Sequence, residues 1–325
     1  MRIAIFGSGT QASRHLRAFS RIDGVEIAGV ASRTALSAER VVRLGNPHFY
    51  AGVAEVLGDP TIAAVVIATP TSTHHDLSVA ALRVGKHVLC ECPIALSLEE
   101  ADEMVESAAR ANRLLQVGMI HRFEAPWRSM VNLVKSRRLG PALATASQRL
   151  SAFTADGLAK PHHGDAFHEL LTFDIRFFQW AFGAITEVAA LADSSGGTAR
   201  ELTAIFGSRE VRATCYVSDK MPAGYPFTEN LRVLFTKGAA ELTMRFWPDR
   251  VDSELRVEPL GGDVERIAVT GEDPFIAQAR HFVAAIDGVA DRRYADGEIA
   301  LQLLRITAAA AEAAATGRTV YFATR

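Results

Sequence analysis

The chain opens on a continuous apolar run of strand length, Ile3-Ala4-Ile5-Phe6. Beyond Gly7-Ser8-Gly9, the apolar positions Leu16, Phe19 and Ile22 recur at helical spacing. The same alternation of short apolar runs and amphipathic stretches continues to about residue 120. It predicts strands at Ile3–Phe6, Val25–Ala31, Ala64–Ala68, His87–Cys90 and Leu114–Val117. Helices are expected around Thr10–Arg21, Ala35–Arg43, Val53–Leu57, Thr73–Val84 and Leu98–Ala111. Strands that alternate with helices form a parallel sheet with crossover helices. Ser97, with Glu100 three residues on, reads as the capping box of the last helix.

After Gly118 the pattern changes. A helix is expected at about Ala125–Arg138, a strand at Ala142–Leu150, a loop to about Gly164 and a helix from Asp165 to Phe182. Successive strands follow at Ile185–Leu191, Leu202–Phe206, Val211–Val217, Leu231–Phe235, Ala240–Arg245, Ser253–Pro259 and Val264–Val269. Helices at Pro274–Asp287 and Asp296–Thr316 and a short strand at Thr319–Phe322 end the chain. The expected fold is α/β. Residues 1–120 form a doubly wound parallel sheet, and residues 121–325 an α+β domain with a large, mostly antiparallel open sheet.

Composition narrows the function classes. Hydrophobic residues at 49% and charged residues at 22% of 325 fit a globular protein of two domains. A net charge of −2 without a basic block points away from nucleic acid and anionic membranes. The apolar start is a core strand rather than a signal peptide, and no apolar run spans a bilayer. Three cysteines, an odd number, fit a reduced cytoplasmic protein. Cys90 and Cys92 alternate along an apparent strand, so they are expected on one face.

The break at Gly7-Ser8-Gly9-Thr10-Gln11-Ala12 carries the first chemistry. A strand, a glycine turn and a helix form a dinucleotide-binding fingerprint. Gly7 permits the sharp turn, and Gly9 leaves room for a pyrophosphate at the helix N-terminus. Ala12 stands at the third glycine position, which serves only helix–strand packing. An acid at the end of the second strand would select NAD, but Ala31-Ser32-Arg33-Thr34 has none. Ser32 and Thr34 can hydrogen-bond, and Arg33 can pair with a 2′-phosphate, so NADP is the expected cofactor, with NAD the alternative.

Three further motifs join the fingerprint: Thr69-Pro70-Thr71-Ser72-Thr73-His74, Gly85-Lys86-His87-Val88-Leu89-Cys90-Glu91-Cys92-Pro93 and His121-Arg122-Phe123. With the helix Phe173-Asp174-Ile175-Arg176-Phe177-Phe178-Gln179-Trp180, they resemble the glucose–fructose oxidoreductase / inositol dehydrogenase (Gfo/Idh/MocA) family. The resemblance implies a Rossmann domain, then a domain whose open sheet often joins subunits. It also implies hydride transfer between a nicotinamide and a sugar, cyclitol or related carbonyl. Thr69, Pro70, Thr71, His74, Glu91 and Cys92 fall on its cofactor-facing motifs.

The departures fall on the chemistry. The family's catalytic Lys falls on Cys92 and its catalytic His on Phe173; the Asp four residues before that His becomes Glu169. Phenylalanine cannot shuttle a proton, and Lys86 belongs to the structural Gly-Lys-His turn. Residues four apart on a helix share a face, so Asp165, Glu169, Thr172, Phe173 and Arg176 are expected as one stripe. Glu169 is the first candidate for proton transfer, with His163 and His168 as alternative general acids. Asp165, Thr172, Phe173 and Arg122 are candidate substrate contacts, and Arg122 has pairing with Glu91 as a second reading. The spacing of His163, Asp165 and His168 is not diagnostic of a metal site, and none is expected.

Imines, iminium ions and conjugated double bonds need less help from a lysine than alcohols do. The leading expectation is therefore an NADP-dependent reductase of a small metabolite with substitute proton-transfer residues. The alternatives are a sugar or cyclitol dehydrogenase with substitute residues, and a cofactor-binding sensor or structural subunit without turnover. A homodimer or homotetramer through the open sheet is the expected assembly.

Overall fold

The computed structural model describes residues 1–32, 47–152, 165–193 and 198–322. The chain divides into two compact units, one of Met1–Phe123 with Glu272–Leu304, the other of Glu124–Gly271 with Arg305–Arg325.

In the first unit, β1 (Arg2–Phe6), β2 (Glu26–Ala31), β3 (Phe49–Tyr50), β4 (Ile62–Ile67), β5 (His87–Cys90) and β6 (Leu115–Val117) form one sheet. Every pair is parallel, and the order is β3-β2-β1-β4-β5-β6. This is the Rossmann order, which reverses between β1 and β4. The helices α1 (Thr10–Phe19), α2 (Val53–Gly58), α3 (His74–Arg83) and α4 (Leu98–Ala111) lie between the strands. Ile3, Ile5, Val30, Val66 and Leu89 are wholly buried, as strands covered on both faces require. Ser97 accepts from the Glu100 N–H at 3.2 Å, and the Glu100 carboxylate accepts from the Leu96 N–H. The capping box thus forms, one residue wider than the standard pattern. The helix expected at 35–43 lies outside the described residues.

The expected boundary at residue 120 needs correction. Residues 272–304 fold with the first unit, because α7 (Pro274–Ile286) packs its apolar face on α1. Phe282 meets Phe19 edge-on at 6.2 Å, and Phe275 meets His15 at 5.3 Å. A pattern of apolar spacing shows that a helix has a buried face, not which sheet covers it.

In the second unit, α5 (Ala125–Ser136) and α6 (Thr172–Phe182) pack on a nine-stranded sheet. Its strands are β7 (Ala142–Ala152), β8 (Glu187–Asp193), β9 (Glu201–Gly207), β10 (Arg212–Met221), β11 (Phe227–Phe235), β12 (Gly238–Phe246), β13 (Val251–Pro259), β14 (Glu265–Ile267) and β15 (Val320–Tyr321). The order is β14-β13-β12-β11-β7-β10-β9-β8-β15, and only β7 with β10 is parallel. Trp127 and Phe178 anchor the helices, against Phe177 and Phe206 respectively. On the opposite face, register aligns the exposed Leu191, Ile205 and Leu234 with alanines and threonines.

Helix α8 (Gly297–Thr316) is long and apolar enough to match a membrane span, which the sequence reading did not anticipate. Half of that apolar stretch is buried inside the fold, so it reads as a core helix.

Candidate cofactor and active site

The first unit is built around the turn after β1. Gly7 has φ of +111°, and a Cβ there would lie 2.2 Å from the Ala68 carbonyl oxygen. Only glycine fits this approach of the β1 and β4 ends. Gly9 differs: its φ is −83°, and a Cβ would meet nothing within 4 Å. Gly9 is the N-cap of α1, which has no side-chain cap. The first N–H groups, at Thr10, Gln11 and Ala12, therefore meet no capping side chain at a positive helix end. An uncapped helix end with room above its N-cap fits a dinucleotide pyrophosphate. The Ser32 hydroxyl lies 3.2 Å from that of Ser8, which brings the end of β2 to this loop. Arg33 and Thr34 lie outside the described residues.

The other expected cofactor motifs sit on neighbouring strand ends. The Gly7 N–H donates to Ala31 O, and the Ala68 N–H donates to Phe6 O. Thr69, Pro70 and Thr71 follow β4, and the Thr73 hydroxyl holds the turn through Thr69 Oγ1 at 2.7 Å or Pro70 O at 2.8 Å. Buried His74 places Nδ1 2.8 Å from Pro93 O and Nε2 3.0 Å from Thr69 O. It ties the loop after β4 to the loop after β5, and burial pushes its pKa below the usual range. Lys86 is also structural: its buried ammonium donates to Asp59 O and Ile62 O.

β5 ends at Cys90, and the Cys92–Pro93 peptide is cis. The strand alternation expected through Cys92 does not reach it. Cys90 is wholly buried and Cys92 is half-buried. The Glu91 carboxylate meets Nε2 of buried His15 on α1 at 2.5 Å and leans on Gly118, where a Cβ would lie 2.8 Å from Glu91 Oε2. Periodicity did not single out His15, because a histidine on an apolar helix face looks like packing. Arg122 stacks its guanidinium 4.5 Å from the Tyr294 ring, and Tyr294 donates its hydroxyl proton to Arg122 O.

In the second unit, the segment before α6 is a π-helical turn, Phe167–Leu171. It adds a residue to the helical turn, so the even stripe expected from Asp165 to Arg176 is broken between Glu169 and Phe173. The Thr172 hydroxyl reaches the Phe167 carbonyl, five residues back, at 3.3 Å, and contacts Thr307 Oγ1 at 3.2 Å. Asp165 closes the start of this turn: its Oδ1 accepts from the Phe167 and His168 N–H groups and meets His168 Nδ1 at 2.8 Å. A carboxylate oxygen only accepts, so Nδ1 of His168 donates to Asp165. Glu169 is half-buried in the same turn. His163 lies outside the described residues.

Phe173 faces a buried charge that the sequence reading missed. The Arg149 guanidinium lies 5.1 Å from the Phe173 ring, 5.8 Å from Trp127 and 5.9 Å from Phe227. Its Nε donates to Asp174 at 3.2 Å, and Nη1 donates to Glu229. Trp127 donates to the other Glu229 oxygen at 3.1 Å. The two carboxylates hold the Arg149 pKa above its ordinary value against the opposing effect of burial. The available signal was a charge at an inward position of each of two strands, since Arg149 and Glu229 are register partners on β7 and β11.

A model of the oxidoreductase family GFO_IDH_MocA, described as an NAD-binding Rossmann fold, matches residues 1–119. The 4-carboxy-2-hydroxymuconate-6-semialdehyde dehydrogenase of a Sphingobium strain is 35% identical over 124 residues, 38% of this chain and 39% of that protein. An uncharacterised oxidoreductase of Rhizobium meliloti is 27% identical over 81% of this chain and 82% of its own length. Among solved structures, an aldose–aldose oxidoreductase from Caulobacter crescentus superposes with a TM-score of 0.85 at 22% identity, covering 99% of both chains. That likeness concerns the fold. Residues 1–119, with the glycine turn they contain, match the NAD-binding Rossmann fold of the Gfo/Idh/MocA oxidoreductase family.

Proposed function

We propose that the protein is an NADP-dependent oxidoreductase that reduces an imine, a conjugated double bond or a carbonyl of a small metabolite. Gly7, Gly9 and the first N–H groups of α1 hold the pyrophosphate, and the ends of β4 and β5 flank the nicotinamide. When bound, the nicotinamide supplies the hydride. NADP preference is supported by the absence of an acid at the end of β2, where Ser32 sits beside Ser8.

One observation carries the choice of reaction. Phe173, at the family's histidine position, packs its ring on the Arg149 guanidinium and offers no proton. Cys92, at the lysine position, carries no cationic charge to polarise an oxygen. An electrophile that activates itself or accepts one proton suits such a site better than an alcohol does. Glu169 delivers that proton in this reading, with His168 on its Asp165 support as the alternative. Asp165, Thr172, Phe173 and Arg122 remain proposed substrate contacts.

A non-catalytic cofactor-binding role is the second reading, and the same two replacements favour it. Steady-state assays with NADPH against cyclic imines, enones and ketoses, and with NADP⁺ against polyols, separate the readings. Oxidation of NADPH by imines or enones is the expected result. Turnover of polyols alone returns the protein to the sugar and cyclitol dehydrogenases. Cofactor binding without any turnover supports the sensor. We also propose a cytoplasmic homodimer or homotetramer joined through the face that carries Leu191, Ile205 and Leu234; exposed apolar residues on one face of the sheet support it.

A further inference from the structure

Arg176 is 6% exposed, yet its Nε and Nη2 atoms are buried with no hydrogen-bond partner among the described residues. Buried guanidinium donors without an acceptor are costly, and native folds rarely keep them without a use. The carboxylate nearest in sequence cannot serve it. Asp174 is two residues back, about 200° around the helix, and is taken by Arg149. Glu229, across the sheet, is taken by Arg149 and Trp127. Phe178, likewise two residues away on the other side in sequence, packs on Phe206 of the sheet. Arg176 therefore lies on the side of α6 opposite Asp174 and Phe178. Thr172, one turn earlier, shares that side, where its hydroxyl contacts Thr307 Oγ1 at 3.2 Å.

The two unpartnered atoms are a matched pair. The Nε–H and one Nη2–H of arginine point the same way along one edge of the guanidinium, at the spacing of the two oxygens of a carboxylate. We propose that Arg176 is a specificity-determining residue that receives a carboxylate group of the substrate. The inference rests on the oxidoreductase reading only in assigning that carboxylate to the substrate. The anion site itself can be tested without turnover.

The test uses the full-length protein, in chloride-free buffer, with malonate as the carboxylate probe and inorganic phosphate as the comparison anion. Thermal unfolding and calorimetric titration are measured for wild type, Arg176→Lys and Arg176→Met, and NADPH binding is titrated separately in each. Malonate is expected to raise the wild-type Tm saturably and to bind at least ~10-fold more weakly to Arg176→Lys, which keeps the charge and loses the fork. Arg176→Met is expected to show no malonate effect and, without anion, to be at least as stable as wild type, because it removes two buried donors that lack an acceptor. NADPH affinity is expected to be the same in all three, so a failure of the cofactor reading shows up on its own. An equal malonate response in wild type and Arg176→Met, or none in either, overturns the proposal. A stronger effect of phosphate than of malonate overturns the carboxylate assignment. An Arg176→Met variant that binds no anion and is markedly less stable than wild type without anion assigns Arg176 to packing and likewise overturns it.

Discussion

A Cβ on Gly7 would lie 2.2 Å from the Ala68 carbonyl oxygen, so the ends of β1 and β4 meet only because residue 7 has no side chain. Gly9, two residues on, is under no such constraint. The two glycines therefore predict different outcomes. Gly7→Ala strains a positive φ and opens the strand ends, and is expected to lower stability by several kcal/mol. Gly9→Val keeps an ordinary backbone conformation and fills the space above the N-cap of α1. It is expected to unfold at the wild-type temperature while losing at least ~100-fold in NADPH affinity, about 2.7 kcal/mol. Urea denaturation and fluorescence titration measure the two effects.

Removing Arg149 leaves Asp174 and Glu229 buried without their cation. Arg149→Met is expected to cost about 3–5 kcal/mol of stability. Adding Glu229→Met should recover part of that loss, since it removes one of the stranded charges. A double variant no more stable than the single one would mean that the cluster does not act as a charge unit. Urea midpoints decide it.

His87 in the first unit contributes to the pH dependence of stability. His87 Nδ1 accepts from the Leu114 N–H at 2.9 Å. Burial, with Arg113 and Arg292 nearby, pulls its pKa down to about 4 from an ordinary 6.5. Between those values the unfolded chain binds the proton and the native one does not. The contribution is therefore complete above the unfolded value and is lost as pH falls toward about 4. His87→Asn keeps an acceptor for Leu114 and removes the titration. Its Tm is expected to fall less than that of wild type between neutral pH and the lower value. Parallel Tm–pH curves would remove His87 as the cause.

How far the chain can be read without coordinates differs between its halves. In the first unit, each strand end carries a motif set by local demands, such as Gly7 in its positive-φ turn and Ser97 in its cap. Local demands leave local signatures, and the Rossmann order follows from them. The return of 272–304 to that unit was hidden, because Phe282 meets Phe19 across more than half of the chain. The second unit hid more of its site. The π turn at Phe167–Leu171 breaks a helical stripe that looks continuous in sequence. Arg149 and Glu229 come together only through the β7–β11 register, which no short motif specifies.

The proton-transfer assignment is open to a direct kinetic test once a substrate emerges from the imine and enone panel. Glu169→Gln is expected to lower kcat at least ~100-fold with the NADPH dissociation constant unchanged, the usual size of a general acid–base contribution. An unaltered kcat transfers the role to His168, which Asp165 holds through Nδ1.

The central claim is that the glycine turn after β1 binds a nicotinamide dinucleotide. Fluorescence titration of the purified protein with NADPH and with NADH tests it most directly. The account predicts saturable binding of NADPH, tighter than that of NADH, and its loss in Gly9→Val. Binding of neither cofactor by the folded wild-type protein would contradict it.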